Sequence, residues 1–130
     1  MFKKTLLLTI LILASFASGP SFGQQSGIKR TPLQTVDGPQ GHQTIMGIAE
    51  IAPGASAGRH THPGAEVAYV LEGEITLLVD GMPGKVFKAG DSFIVPAGVV
   101  HDAHNASGRP VRVLATWVIE KGKPLASPAK

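Results

Sequence analysis

From residue 43 onward the chain never sustains the 3.6-residue apolar rhythm of an amphipathic helix; it offers short apolar or alternating runs cut by turn residues. "QTIMGIAEIA" (43–52) ends at Pro53-Gly54, and "EVAYVL" (66–71) ends at Glu72-Gly73. "ITLLVD" (75–80) places Ile75, Leu77 and Val79 on one side and stops at "DGMPG". "KVFKAGD" and "SFIVPAG" follow, and "VRVLATWVIE" (111–120) is the last long run. Turns recurring every eight to twelve residues or so between β-rich runs predict an all-β sandwich or barrel, here one domain over residues 43–120.

The flanks read differently. Residues 24–42 are polar and carry Pro32, Pro39 and several glycines, which predicts an N-terminal arm with at most one edge strand. Residues 121–130, "KGKPLASPAK", read as a C-terminal tail. Residues 1–23 have a basic start, an apolar run of thirteen and a small, turn-prone end, the order of a secretory signal peptide. Thirteen apolar residues fall short of the roughly 20 that a spanning helix needs. Small residues precede two cleavage positions, after Ala17 and after Gly23. The expected location is therefore the periplasm or the medium, with no membrane attachment after cleavage.

Removing Lys3 and Lys4 with that leader leaves ten basic against nine acidic side chains, so the calculated basicity is partly a property of the leader. A near-neutral chain without a Lys/Arg cluster, and with Tyr69 and Trp117 as its only aromatics besides phenylalanine, excludes nucleic acid as the expected partner. With no cysteine there is neither a disulfide staple nor a thiolate ligand.

Chemistry concentrates in "RHTHPGAE" (59–66). On a strand, residues two apart share a face, so His60 and His62 project side by side with alpha carbons about 6.6 Å apart. Pro63-Gly64 turns the chain, and Glu66 enters the next strand where its carboxylate can join them. One His-x-His pair is more often a surface or core feature than a ligand set. The wider spacing decides. Five residues separate Gly54 from His60, one His60 from His62, three His62 from Glu66 and six Glu66 from Gly73. Five residues separate Gly90 from Pro96, one Pro96 from Gly98, two Gly98 from His101 and three His101 from Asn105.

These intervals resemble the two signature motifs of the cupin superfamily, with all ten defining positions filled between residues 54 and 105. The resemblance implies a double-stranded β-helix, or jelly roll, with one divalent metal held by His60, His62, Glu66 and His101. Imidazole and carboxylate ligands in a small barrel suit iron, manganese, nickel, zinc or copper. Gly54, Gly73, Gly90 and Gly98 are expected at turns needing positive φ. Asn105 is expected to tie down a loop through its amide.

Other polar residues carry less weight. His42 lies in the arm. His104, three residues after His101, should face away from the ion on a regular strand, as should Arg59 and Asp102. Ala68 and Val70 share the parity of Glu66 and are expected to line an apolar cavity, with Met46, Phe93 and Trp117 as further candidate walls.

Four protein ligands saturate a tetrahedral zinc ion but leave two positions open on six-coordinate iron, manganese or nickel. The first functional expectation is a metal-dependent oxygenase, similar to the quercetinase-like cupins, acting on a small chelating or anionic oxygen-rich compound. Glu66 is the candidate base, on the argument that an apolar cavity raises a carboxyl pKa. The second is an exported, non-catalytic binding or sensing module for a small ligand. A sugar isomerase or epimerase ranks last, since Arg59, Arg109 and Arg112 are isolated and form no phosphate-binding cluster. A homodimer through edge strands or the arm is the expected assembly.

Overall fold

The computed structural model describes residues 27–130; the expected leader and its two cleavage positions lie outside the described residues. Alternation of apolar and polar side chains fixes the strands. In Val111–Glu120 every second residue from Val111 to Ile119 is buried, and in Glu66–Glu72 residues 66, 68 and 70 are buried while Val67 and Tyr69 are exposed. That period of two is what a sheet with one face on a core requires.

Ten strands follow in chain order among the described residues: β1 (Ile28–Asp37), β2 (His42–Ile51), β3 (His60–Thr61), β4 (Glu66–Glu72), β5 (Glu74–Val79), β6 (Lys85–Lys88), β7 (Ser92–Val95), β8 (His101–His104), β9 (Val111–Glu120) and β10 (Ser127–Pro128). They form two antiparallel five-stranded sheets, ordered β1-β2-β9-β4-β7 and β10-β3-β8-β5-β6. This is the jelly-roll architecture read from the sequence. Ile75, Val70, Val95, Val111 and Ile119 are almost fully buried and form one core with Phe87 and Phe93. No helix among the described residues is long and apolar enough to cross a membrane.

The flanking segments take part in this framework. Within the N-terminal arm, Ile28–Asp37 pairs with β2 along its length, with an irregularity between Pro32 and Gln34. Proline lacks an N–H donor, and an edge strand with a bulge accommodates it. In the tail, Ser127 and Pro128 pair with Thr61 and His60. Ile28–Asp37 is thus the edge of one sheet, and Ser127–Pro128, beside His60, the edge of the other.

Two glycines are dictated by close approach. A Cβ on Gly64 would sit 1.7 Å from the Val118 carbonyl oxygen, so the Pro63-Gly64 turn can pass over β9 only without a side chain. Gly73 has φ 78° and a Cβ there would meet the Pro110 carbonyl oxygen at 2.9 Å. Asn105 is fully buried and ties down its loop: its amide donates to the carbonyls of Ile51 (2.9 Å) and Arg109 (2.7 Å), and its Oδ1 accepts from the Ser107 N–H (2.9 Å) and hydroxyl (2.7 Å).

Candidate metal centre

The two sheets contribute different ligands to one point. His60 on β3 stands opposite His101 on β8 in register, and His62 follows β3 directly, so three imidazoles come from the sheet that holds β3 and β8. Glu66 opens β4 of the other sheet, opposite Trp117 and Val95. The nitrogens and carboxylate converge. His60 Nε2 lies 3.2 Å from His62 Nε2, and Glu66 Oε2 lies 3.0 Å from His62 Nε2 and 3.3 Å from His101 Nε2. Ligand atoms of the three histidines all lie within 4.8 Å of one another, close enough to hold one metal ion.

The outward ring nitrogens explain why the inward ones face each other. His60 Nδ1 contacts the Gly58 carbonyl at 2.6 Å, His62 Nδ1 the Leu125 carbonyl at 2.7 Å, and His101 Nδ1 the Val99 carbonyl at 3.0 Å. A carbonyl oxygen only accepts, so each Nδ1 carries the proton, and in a neutral ring Nε2 then holds the free lone pair. Three lone pairs and a carboxylate oxygen aimed at one point repel one another unless a proton or a cation lies between them. That donor set fits a divalent transition metal, with carbonyl-bonded imidazoles as orienting partners.

Burial pushes the Glu66 carboxyl upward, but hydrogen bonds from His101 and His62 and their nearby charge outweigh it and hold it at about 2. The expected upward shift of the Glu66 pKa is thereby corrected. Paired imidazoles, which the apolar-cavity argument omitted, reverse the direction of the shift. Burial works against the charged form of His101 as well, yet the hydrogen bond to Glu66 raises its pKa overall. For His60, burial dominates and lowers it. The cluster thus tolerates positive charge unevenly, best beside Glu66.

A cavity of about 780 Å³ opens from these four residues. Phe93 and Trp117 line it, as do Ile28, Leu77, Val113 and Leu125. Ala68 and Val70 are corrected: they are buried in the packed core and do not line the cavity, whose wall on the β4 side of the sandwich is made by β1, β2, β9 and Phe93 of β7, with Glu66 alone from β4. Met46 is half-buried and also lies off the cavity wall. Arg59 binds both carboxylate oxygens of Asp80 at 2.7 and 2.8 Å, and Asp102 accepts the Ser56 hydroxyl at 2.5 Å. His104 pairs with Thr76 and bridges to Ser56, and exposed His42 contacts the Gln40 carbonyl; neither joins the cluster.

Three contributors escape the motif spacing. Gly64 permits the turn between His62 and Glu66, Leu125 of the tail orients His62, and Arg30 of the arm lines the cavity. The alternation of Ile28 and Arg30 was the available signal for the last; Pro32 obscured it. A backbone carbonyl acting from a distant tail leaves no trace in side-chain identity.

Comparison with known proteins agrees with this geometry. Germin-like protein subfamily 2 member 2 of Arabidopsis thaliana is 40% identical over 73 residues, 52% of this chain and 33% of that protein. The chain spans a third to a half of the length of the curated relatives it matches. An RmlC-like cupin from Shewanella frigidimarina superposes with a TM-score of 0.61 at 32% identity, covering 75% of this chain and 81% of that one. Oxalate oxidase in complex with the substrate analogue glycolate superposes with a TM-score of 0.64 at 20% identity over 89% of this chain and 62% of that one, a likeness of fold. The family described as Cupin domain matches residues 47–118, which include both sheets' central strands and every residue of the His/Glu cluster, and the chain belongs to that family.

Proposed function

We propose that this chain is an exported metalloprotein in which His60, His62, Glu66 and His101 hold one divalent transition metal ion, and that it performs oxygenase-type chemistry on a small oxygen-donor compound. The observation that carries the reading is the orientation of the imidazoles: each commits Nδ1 to a carbonyl, leaving three Nε2 atoms facing one point beside a carboxylate. When bound, such an ion supplies a Lewis acid for a substrate oxygen and, for a redox-active metal, a centre at which dioxygen reacts. Iron, manganese, nickel or copper would serve both roles; zinc would serve only the first.

The chain's own residues supply the rest. The cluster opens to one side, whereas a purely structural centre is closed by its ligands. The apolar wall formed by Leu77, Phe93, Val113 and Trp117 keeps water from the reacting atoms and strengthens electrostatic contacts within the cavity. Glu66, held ionised, offsets one positive charge of a bound ion.

One observation favours the binding or sensing reading. Among the described residues, the ionisable cavity residues beyond the cluster are Arg30 and Arg59, and a guanidinium does not transfer protons near neutrality. An enzyme built this way needs a substrate that is already acidic. Aerobic and anaerobic incubation of the metal-loaded protein with flavonols, catechols and diketones separates the two. Metal-dependent oxygen uptake is expected; consumption of none of them by iron-, manganese-, nickel- or copper-loaded protein leaves the binding module.

Export rests on residues 1–23, and N-terminal sequencing of the secreted form is expected to begin at Ser18 or Gln24. A homodimer is supported by exposed Val67, Tyr69, Ile94 and Val118 on the outer face of the sheet that holds β4, β7 and β9, and light scattering tests it. The isomerase reading gains nothing, since Arg59 is paired with Asp80 and Arg112 with Glu72.

A further inference from the structure

Arg30 is a charged wall of the cavity that neither signature motif contains. It lies on edge strand β1, two residues after buried Ile28 and opposite Ala49 of β2. Residues two apart share a face, which puts Arg30 on the inward side with Ile28. Both line the cavity that Glu66 and the three histidines open into, and Ala49, beside Arg30, lines it too. Arg59 also reaches the cavity, but its planar fork is occupied by Asp80 and by the Lys130 carbonyl.

Removing a guanidinium from water is costly unless an anion accompanies it. Burial lowers the Arg30 pKa, and the charge of Glu66 acts in the opposite direction. A divalent ion in the cluster would draw on that same carboxylate, leaving the cavity with excess positive charge. Arg30 interacts with the surrounding protein, and the five N–H donors of a guanidinium let it keep such a contact while receiving a carboxylate.

The remaining walls restrict the rest of the ligand. Among the described residues the polar side chains left are the Thr31 hydroxyl and the Trp117 indole N–H, while Ile28, Leu77, Phe93, Val113 and Leu125 carry no polar side-chain atom, so a polyhydroxylated body would find too few hydrogen-bond partners on entry. The volume of about 780 Å³ suits a small molecule with a hydrocarbon portion. Resting on the metal-centre reading above, we propose that Arg30 determines specificity by pairing with a ligand carboxylate. The substrate class is then an organic acid with a hydrocarbon body and a further oxygen donor directed at the His60, His62, Glu66 and His101 cluster.

The test uses 4-methyl-2-oxopentanoate and its primary amide, titrated calorimetrically into wild type, Arg30→Gln and Arg30→Lys, with metal content measured on each sample. Wild type is expected to prefer the acid, and Arg30→Gln to lose about tenfold of that preference at unchanged metal content. Arg30→Lys keeps a charge but not the fork, so it is expected to retain part of the preference; if Arg30→Gln does not fold, a ratio undiminished in Arg30→Lys overturns the proposal. Equal acid-to-amide ratios in wild type and Arg30→Gln, or binding of neither probe by metal-loaded wild type, also overturn it. Wild type that carries no metal yet shows an Arg30-dependent acid preference supports the role of Arg30 and overturns only the metal reading. Metal-free wild type without that preference overturns both.

Discussion

Asn105 and the His/Glu cluster solve the same problem in opposite ways. Among the described residues, the buried polar or ionisable side chains are His62, Glu66, His101 and Asn105. Asn105 has both amide protons donated and its oxygen doubly engaged, so nothing is left to bind a ligand. The histidines pair their outward nitrogens with carbonyls and direct the inward ones at one another and at Glu66, where they share too few protons to satisfy every atom. A buried polar group with all its partners holds a loop in place; a convergent set that lacks them is poised for a cation or a proton.

The largest effect should separate these roles. Asn105→Ala strands the carbonyls of Ile51 and Arg109 and is expected to lower the stability of the metal-free protein by about 3 kcal/mol, measured by urea unfolding in chelator. Metal stoichiometry of the folded fraction should stay unchanged; loss of metal at unaltered stability would break the comparison. His101→Ala should do the reverse, weakening metal affinity at least about 100-fold and abolishing the response of melting temperature to chelation. Its metal-free stability should change by less than about 1.5 kcal/mol.

A smaller effect is expected from the tail. Ending the chain after Pro124 removes the Leu125 carbonyl that orients His62, and metal affinity should fall about tenfold with the ligands themselves intact. Unchanged affinity would show that the ring is held without the tail.

How much of this was legible in the sequence follows from the kind of information each part carries. The run 111–120 and its alternation coincide with β9 because a half-buried strand writes its parity into side-chain polarity. His60, His62 and Glu66 were legible through strand parity and one tight turn, and His101 joined them through the resemblance to the cupin motifs. Arg30 and Leu125 were not. The first lies on an edge strand whose Pro32 reads as irregular, and the second contributes only a backbone oxygen. The direction of the Glu66 shift was also beyond sequence reasoning, because it depends on two imidazoles at 3.0 and 3.3 Å.

The pH dependence of the metal-free protein tests the pairing inside the cluster itself. Glu66 falls from its ordinary 4.5 to about 2, so its stabilising contribution is present above 4.5 and lost as pH falls through about 2. His101 is raised above 6.5, so its contribution is complete below 6.5 and lost as pH rises through the raised value. Together they act most strongly between 4.5 and 6.5. The stability difference between wild type and Glu66→Gln, both in chelator, should peak in that window. A difference that does not vary with pH would contradict the ion pair. With metal present the order reverses, because protons and the ion compete for the same nitrogens and binding strengthens above it.

The most direct measurement is anomalous X-ray scattering from crystals of protein purified without chelators and loaded with a divalent transition metal. One peak is expected at about 2.0–2.2 Å from Nε2 of His60, His62 and His101 and from a carboxylate oxygen of Glu66. A fully loaded sample with no peak among these four side chains, or with the ion bound elsewhere, would contradict the account.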